Sequence, residues 1–108
     1  MKIRFSIDYR TYWGQKMMLV GSARETGEWE ISNAVPLDFR GGETWETEIE
    51  FDSEISSLEY MYLIVNENTG EHELEFGEGR TINWSGMSRR ELKIRDFWRS
   101  NTSEQNAL

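Results

Sequence analysis

Residues 13–30 read WGQKMMLVGSARETGEWE, and the reading of this stretch decides the fold. Its apolar centre, Met17 with Met18, Leu19 and Val20, is too short for a helix and lies between Gly14 and Gly21, so it predicts a buried β-strand. Gly27 permits a tight turn just before Trp29, and Glu28 and Glu30 flank that indole. Trp29 therefore belongs to a turn rather than to the phase of a strand, and presents a flat apolar face beside hydrogen-bond acceptors.

The same alternating logic extends in both directions. Ile3, Phe5 and Ile7 alternate with Lys2, Arg4, Ser6 and Asp8, which predicts a first strand with one dry and one wet face. Trp45, Thr47, Ile49 and Phe51 alternate with Glu46, Glu48 and Glu50, a half-buried antiparallel strand with its glutamates in water. The run LEYMYLIV at 58–65 is apolar almost throughout and reads as a central strand covered on both sides. A turn cluster at 66–70 leads to a short strand near 73–76, and Leu92 and Ile94 alternate with charge in a last strand at 91–96. No segment carries helical periodicity. The expected fold is all-β, an immunoglobulin-like antiparallel β-sandwich of about seven or eight strands.

Composition narrows the function classes. The 108 residues suffice for one domain and one core. Twenty acidic against twelve basic residues give a formal charge of -8, which opposes nucleic acid and anionic membrane surfaces as partners. With no cysteine and a single histidine, His72, the chain offers no disulfide and no thiolate metal site, and no cofactor is implied. The opening MKIRFSIDYR is interrupted by charge and lacks the apolar run of a signal peptide, so cytoplasmic residence is the expectation. After Trp98 the tail RSNTSEQNAL loses all periodicity. The expected organisation is a sandwich domain over residues 1–98 and a polar linker over 99–108 toward a downstream domain.

The order of motifs resembles the starch-binding domains of carbohydrate-binding module family 20. Trp13, Gly14, Leu19, Val20, Gly21, Ser22, Gly27 and Trp29 match the early strand and its loop, with Thr26 in place of a leucine. Residues 34–37 resemble the family's A-x-P-L segment, Trp45 the tryptophan that opens the next strand, Glu59 and Tyr60 its E-Y pair, and Arg80 the arginine closing the following loop. The tail resembles the segment after such domains in disproportionating 4-α-glucanotransferases, through Asn106, Ala107 and Leu108. The resemblance implies a non-catalytic module that binds α-1,4-glucans or maltooligosaccharides as the N-terminal part of such a transferase.

It also implies two sugar sites. For the first, Trp29 and Glu75 match the family pattern, while Met61 replaces a lysine, Leu74 a second tryptophan and Gly79 an asparagine; Phe76 or Trp84 is the replacement surface. For the second, Trp13 stands at the aromatic position before the glycine, and Phe39 is the candidate partner from a shortened loop. The residues themselves leave alternatives. Trp45, in phase with Ile49 and Phe51, reads as core, Trp98 as a cap on the sandwich, and Trp84 as either a ligand surface or a lid over the core. A protein-interaction or spacer sandwich docking on its parent enzyme, with a degenerate sugar site, is the alternative function. No Ser, His, Asp constellation exists beyond the one histidine, and a small sandwich rarely forms the cleft that a carboxylate pair needs, so no catalysis is expected of this chain alone.

Overall fold

The structure is a computed structural model, and it describes residues 1–100. Its strands are β1 (Lys2–Asp8), β2 (Gln15–Gly21), β3 (Val35–Pro36), β4 (Asp38–Phe39), β5 (Thr44–Glu50), β6 (Ser57–Asn66), β7 (His72–Leu74), β8 (Arg80–Asn83) and β9 (Glu91–Phe97). The count exceeds the expected seven or eight because β3 and β4 are only two residues long, too short for any alternation to reveal. Among the described residues there is no α-helix, only single 3-10 turns at Arg24–Thr26 and Ile31–Asn33.

Two sheets face each other. The first runs β4-β5-β1-β9; the second runs β3-β2-β6-β7, with β8 also pairing with β6. Pairing is antiparallel except between β1 and β9, which run parallel from Lys2↔Glu91 to Asp8↔Phe97, a pairing that alternation within single strands cannot announce. The inward residues of β1 set the core. Ile3, Phe5 and Ile7, all at 0% exposure, pair with Ile49, Thr47 and Trp45 on one side and with Leu92, Ile94 and Asp96 on the other. Met17, Leu19, Leu58, Tyr60, Tyr62 and Ile64 meet them from the second sheet. Phe5 packs edge-on against Tyr60 with ring centroids 5.0 Å apart.

The 58–65 run is central, as expected, and its outer face is partly covered. Leu63 is packed with Val20 and Ala34 in a small second cluster beneath the loop that carries Ile31. That loop starts with a demanding backbone. Gly21 is held so close to Glu59 O that an added Cβ would lie 2.7 Å from it, and Gly27 at φ +88 is equally tight against Asn33 O. Glu28 and Trp29 follow with φ of 51 and 65, so three successive residues lie in the left-handed region. Bonds from Trp29 N to Gly21 O (2.9 Å) and from Glu30 N to Gly27 O (2.9 Å) hold them there, and the buried Thr26 Oγ1 ties back to Ala23.

Candidate functional site

The expected site residues fall into three places. Trp13, Phe39 and Trp45 gather at the end of the sandwich where β1 gives way to the loop before β2. Trp13 is the corner of a tight turn: Gln15 N donates to Tyr12 O at 3.0 Å, and Gly14 takes the positive φ of +86 that the third residue of such a turn needs. Nothing covers the indole, which is 102% exposed. Phe39, 54% exposed, sits in β4 directly across from Trp45, with their rings 5.2 Å apart and tilted by 52°. Together with Arg10, Tyr12 and Gln15 these rings line an open groove of about 420 Å³.

Trp45 is the residue that sequence reasoning assigned to the core alone. The phase was right, since only 8% of it is exposed, but it stands second in β5, near the end of the sandwich, and also lines the groove. Its Nε1 is buried and has no hydrogen-bond partner among the described residues. A buried donor without an acceptor costs ~1–3 kcal/mol, a cost carried here by the packing of the indole in the core. The signal available in the sequence was positional: an aromatic at the first turn of a strand, just after Gly41 and Gly42.

Trp29, Leu74 and Phe76 do not line this groove. Trp13 precedes β2 and Trp29 follows it, so the seven residues of β2 separate them by about 20 Å along the strand. Trp29 is 40% exposed, and Leu74 and Phe76 are 41% and 55% exposed on the far side of β6. Met61, where the resemblance expects a lysine, is cross-strand from Val20, so this face is apolar where a cation would have met sugar hydroxyls.

Glu75, between Leu74 and Phe76, points the other way, and the expectation that it receives sugar hydroxyls is corrected. Its side chain has 0% exposure. Arg80 grips it through two bonds, Nη2 to Oε1 at 2.7 Å and Nε to Oε2 at 3.0 Å, while Arg99 Nε (3.2 Å) and Tyr62 N (3.0 Å) donate to the same carboxylate. Arg80 also reaches Asp96 at 3.3 Å, and Asp96 Oδ2 accepts from the hydroxyls of Tyr60 and Tyr62 at 2.7 and 2.8 Å. Burial, with the Asp96 carboxylate adding to it, pushes both phenols far above the ordinary tyrosine value. The network fastens the second sheet to β9 of the first, so this acidic residue is structural.

Trp84 is likewise removed from the surface, and the lid is the reading the structure selects. It is 6% exposed, lies 5.6 Å from Phe51, and its indole N–H donates to Ile55 O at 3.1 Å. Trp98 packs on Tyr9 at 5.1 Å as a cap. The proposed linker falls mostly on residues 101–108, which lie outside the described residues.

A family model described as a starch binding domain matches residues 1–95. The chain is 27% identical over 99 residues to the 4-alpha-glucanotransferase DPE2 of Oryza sativa subsp. japonica, a match that covers 87% of this chain and 10% of that protein. The chain thus spans about a tenth of the length of the curated relative it matches. Among solved structures, the family 15 glucoamylase of Hypocrea jecorina superposes with a TM-score of 0.82 at 23% identity, over 92% of this chain and 17% of that one. The family 20 module of the maltotetraose-forming amylase from Pseudomonas saccharophila STB07 superposes with a TM-score of 0.67 at 21% identity, over 87% of this chain and 100% of that one.

Proposed function

The chain belongs to the starch-binding domain family, carbohydrate-binding module family 20, and from that premise we propose that it holds α-1,4-glucan in the groove of Trp13, Phe39 and Trp45. As a member of that family it is a non-catalytic glucan-binding module. The observation that carries the choice of groove is that a wholly uncovered Trp13 shares it with the rings of Phe39 and Trp45. Pyranose rings offer apolar C–H faces to these aromatics and hydroxyls to the polar lining that Arg10 and Thr11 supply. The neighbouring Phe39 ring widens the apolar surface so that adjacent sugar units of a curved chain meet successive rings. An affinity of ~10 µM to ~1 mM suits one or two stacked rings.

Calorimetric titration of the 108-residue chain tests this reading. β-Cyclodextrin and maltoheptaose are expected to bind, and cellohexaose, whose β-linkages give a straight chain, is not. Absence of heat at millimolar α-linked ligand would refute it. The parent protein is proposed to be a 4-α-glucanotransferase of the cytoplasm, in which the module raises the local concentration of polymer near a separate catalytic domain.

One observation supports a second role for the Trp29 face. Phe76 N donates to Arg99 O at 2.7 Å, so the exposed Leu74 and Phe76 stand beside the point where the described chain ends. In a longer protein that apolar face would pack against the part of the polypeptide that follows residues 99–108, and Leu74 and Phe76 amides would exchange more slowly there than in the isolated domain.

A further inference from the structure

The Trp13 platform is a turn fastened twice between the same two residues. Gln15 N donates to Tyr12 O at 3.0 Å, and in return Tyr12 N donates to the Gln15 side-chain Oε1 at 2.8 Å. The backbone bond alone closes an ordinary β-turn; the side-chain bond also fixes the entering strand end, so both flanks of Trp13 are held by one residue. A brace from the facing hairpin completes the mount: Glu67 N donates to Gly14 O at 2.7 Å, and a Cβ on Gly14 would lie 3.0 Å from Asn68 Nδ2. Among the described residues no side chain packs over the indole, which is fully exposed, so its placement depends on the backbone beneath it.

We propose that Gln15 is a positioning residue for glucan binding, acting through its Oε1 on the Tyr12 amide to hold Trp13 in its stacking position. The proposal rests on the groove being the sugar site. Ordering a stacking ring before the ligand arrives removes an entropic cost from binding, and the gain is set by how far the free turn would otherwise wander. The Tyr12 amide is exposed, so when Oε1 is lost water replaces it and the fold loses little; the loss falls on the order of the turn.

Three variants and two readouts test this. Gln15→Ala removes the acceptor, Gln15→Glu keeps it while removing the amide N–H₂, and Trp13→Ala removes the platform. In Gln15→Ala the heteronuclear NOE of the Trp13 amide in the ligand-free protein is expected to fall, and β-cyclodextrin binding to weaken about three- to tenfold, the worth of one net hydrogen bond. In Gln15→Glu both are expected to stay at wild-type values. An unchanged Trp13 NOE in Gln15→Ala would overturn the proposal whatever the sugar does. Equal weakening in Gln15→Ala and Gln15→Glu, with the NOE retained in Gln15→Glu, would also overturn it, because the side-chain amide would then be contacting the sugar directly. If Trp13→Ala binds β-cyclodextrin like the wild type, the groove reading itself fails, and with it the role of Gln15 in binding.

Discussion

At the groove end of β2, Trp13 and Phe39 stand open to solvent, and with Trp45 they line one groove. In the second sheet, Glu75 is enclosed by Arg80, Arg99 and the Tyr62 amide, with no exposed surface of its own. Both regions carry residues of the kind that bind sugars, aromatics in one and a carboxylate in the other. What separates them is whether the binding capacity has been used up internally. An ion network whose acceptors are filled holds the sandwich together, and a groove lined by uncovered rings is left for a ligand.

The comparison breaks first, and with the largest effect, at Arg80. Arg80→Met leaves the buried Glu75 with Arg99 alone and takes the cation from the partly buried Asp96, which is expected to cost ~3 kcal/mol in urea-induced unfolding. A cost under about 1 kcal/mol would mean that the network is ornamental and that Glu75 is free for other duty. Trp13→Ala is the opposite kind of change. It should weaken β-cyclodextrin binding by ~1.5–3 kcal/mol, about ten- to hundredfold, in calorimetry, while shifting stability by less than ~0.5 kcal/mol. Trp29→Ala serves as its partner control and should leave β-cyclodextrin affinity within about twofold.

Phe39→Ala removes a ring that leans on Trp45, and the expected loss is smaller, ~0.5–1.5 kcal/mol of binding, since half of the ring is already in water and Trp45 stays in place. The smallest effect is on pH dependence. The hydrogen bond from Arg95, opposed by partial burial and aided by Thr44 Oγ1 at 3.0 Å, holds the Asp8 carboxyl below its ordinary value of 3.8. A depressed folded pKa contributes stability that is complete above the ordinary value and is lost as pH falls through the lower one. Asp8→Asn should therefore lower stability slightly at pH 7 and flatten the decline below about pH 4 in thermal melts, because Asp8 clasps the β5 end of the groove to β1. Identical acid limbs for the two proteins would contradict that role.

Much of this was legible in the chain. The strands β1, β5 and β9 declare themselves by alternation between a buried and a wetter face, and β2 and β6 by short apolar runs between turn residues. The turn before Trp29 is announced by Gly27, whose left-handed φ few other residues tolerate. Less visible was anything decided by partners distant in sequence. Glu75 and Asp96 lie twenty-one residues apart, 96 minus 75, and only the fold brings Arg80 between them. Trp45 kept its predicted phase yet serves two surfaces, since a residue near the start of a strand meets both the core and the open end of the sandwich. Trp84 stood among polar neighbours and still turned inward, because the Ile55 carbonyl satisfies its N–H in the core.

The most direct test of where glucan sits is an NMR titration that follows the five tryptophan indole N–H signals as β-cyclodextrin is added. The account predicts that Trp13 and Trp45 shift together and saturate with the calorimetric affinity, while Trp29 and Trp84 stay in place. Movement of Trp29 with Trp13 and Trp45 unmoved would contradict it and return the sugar to the other end of β2.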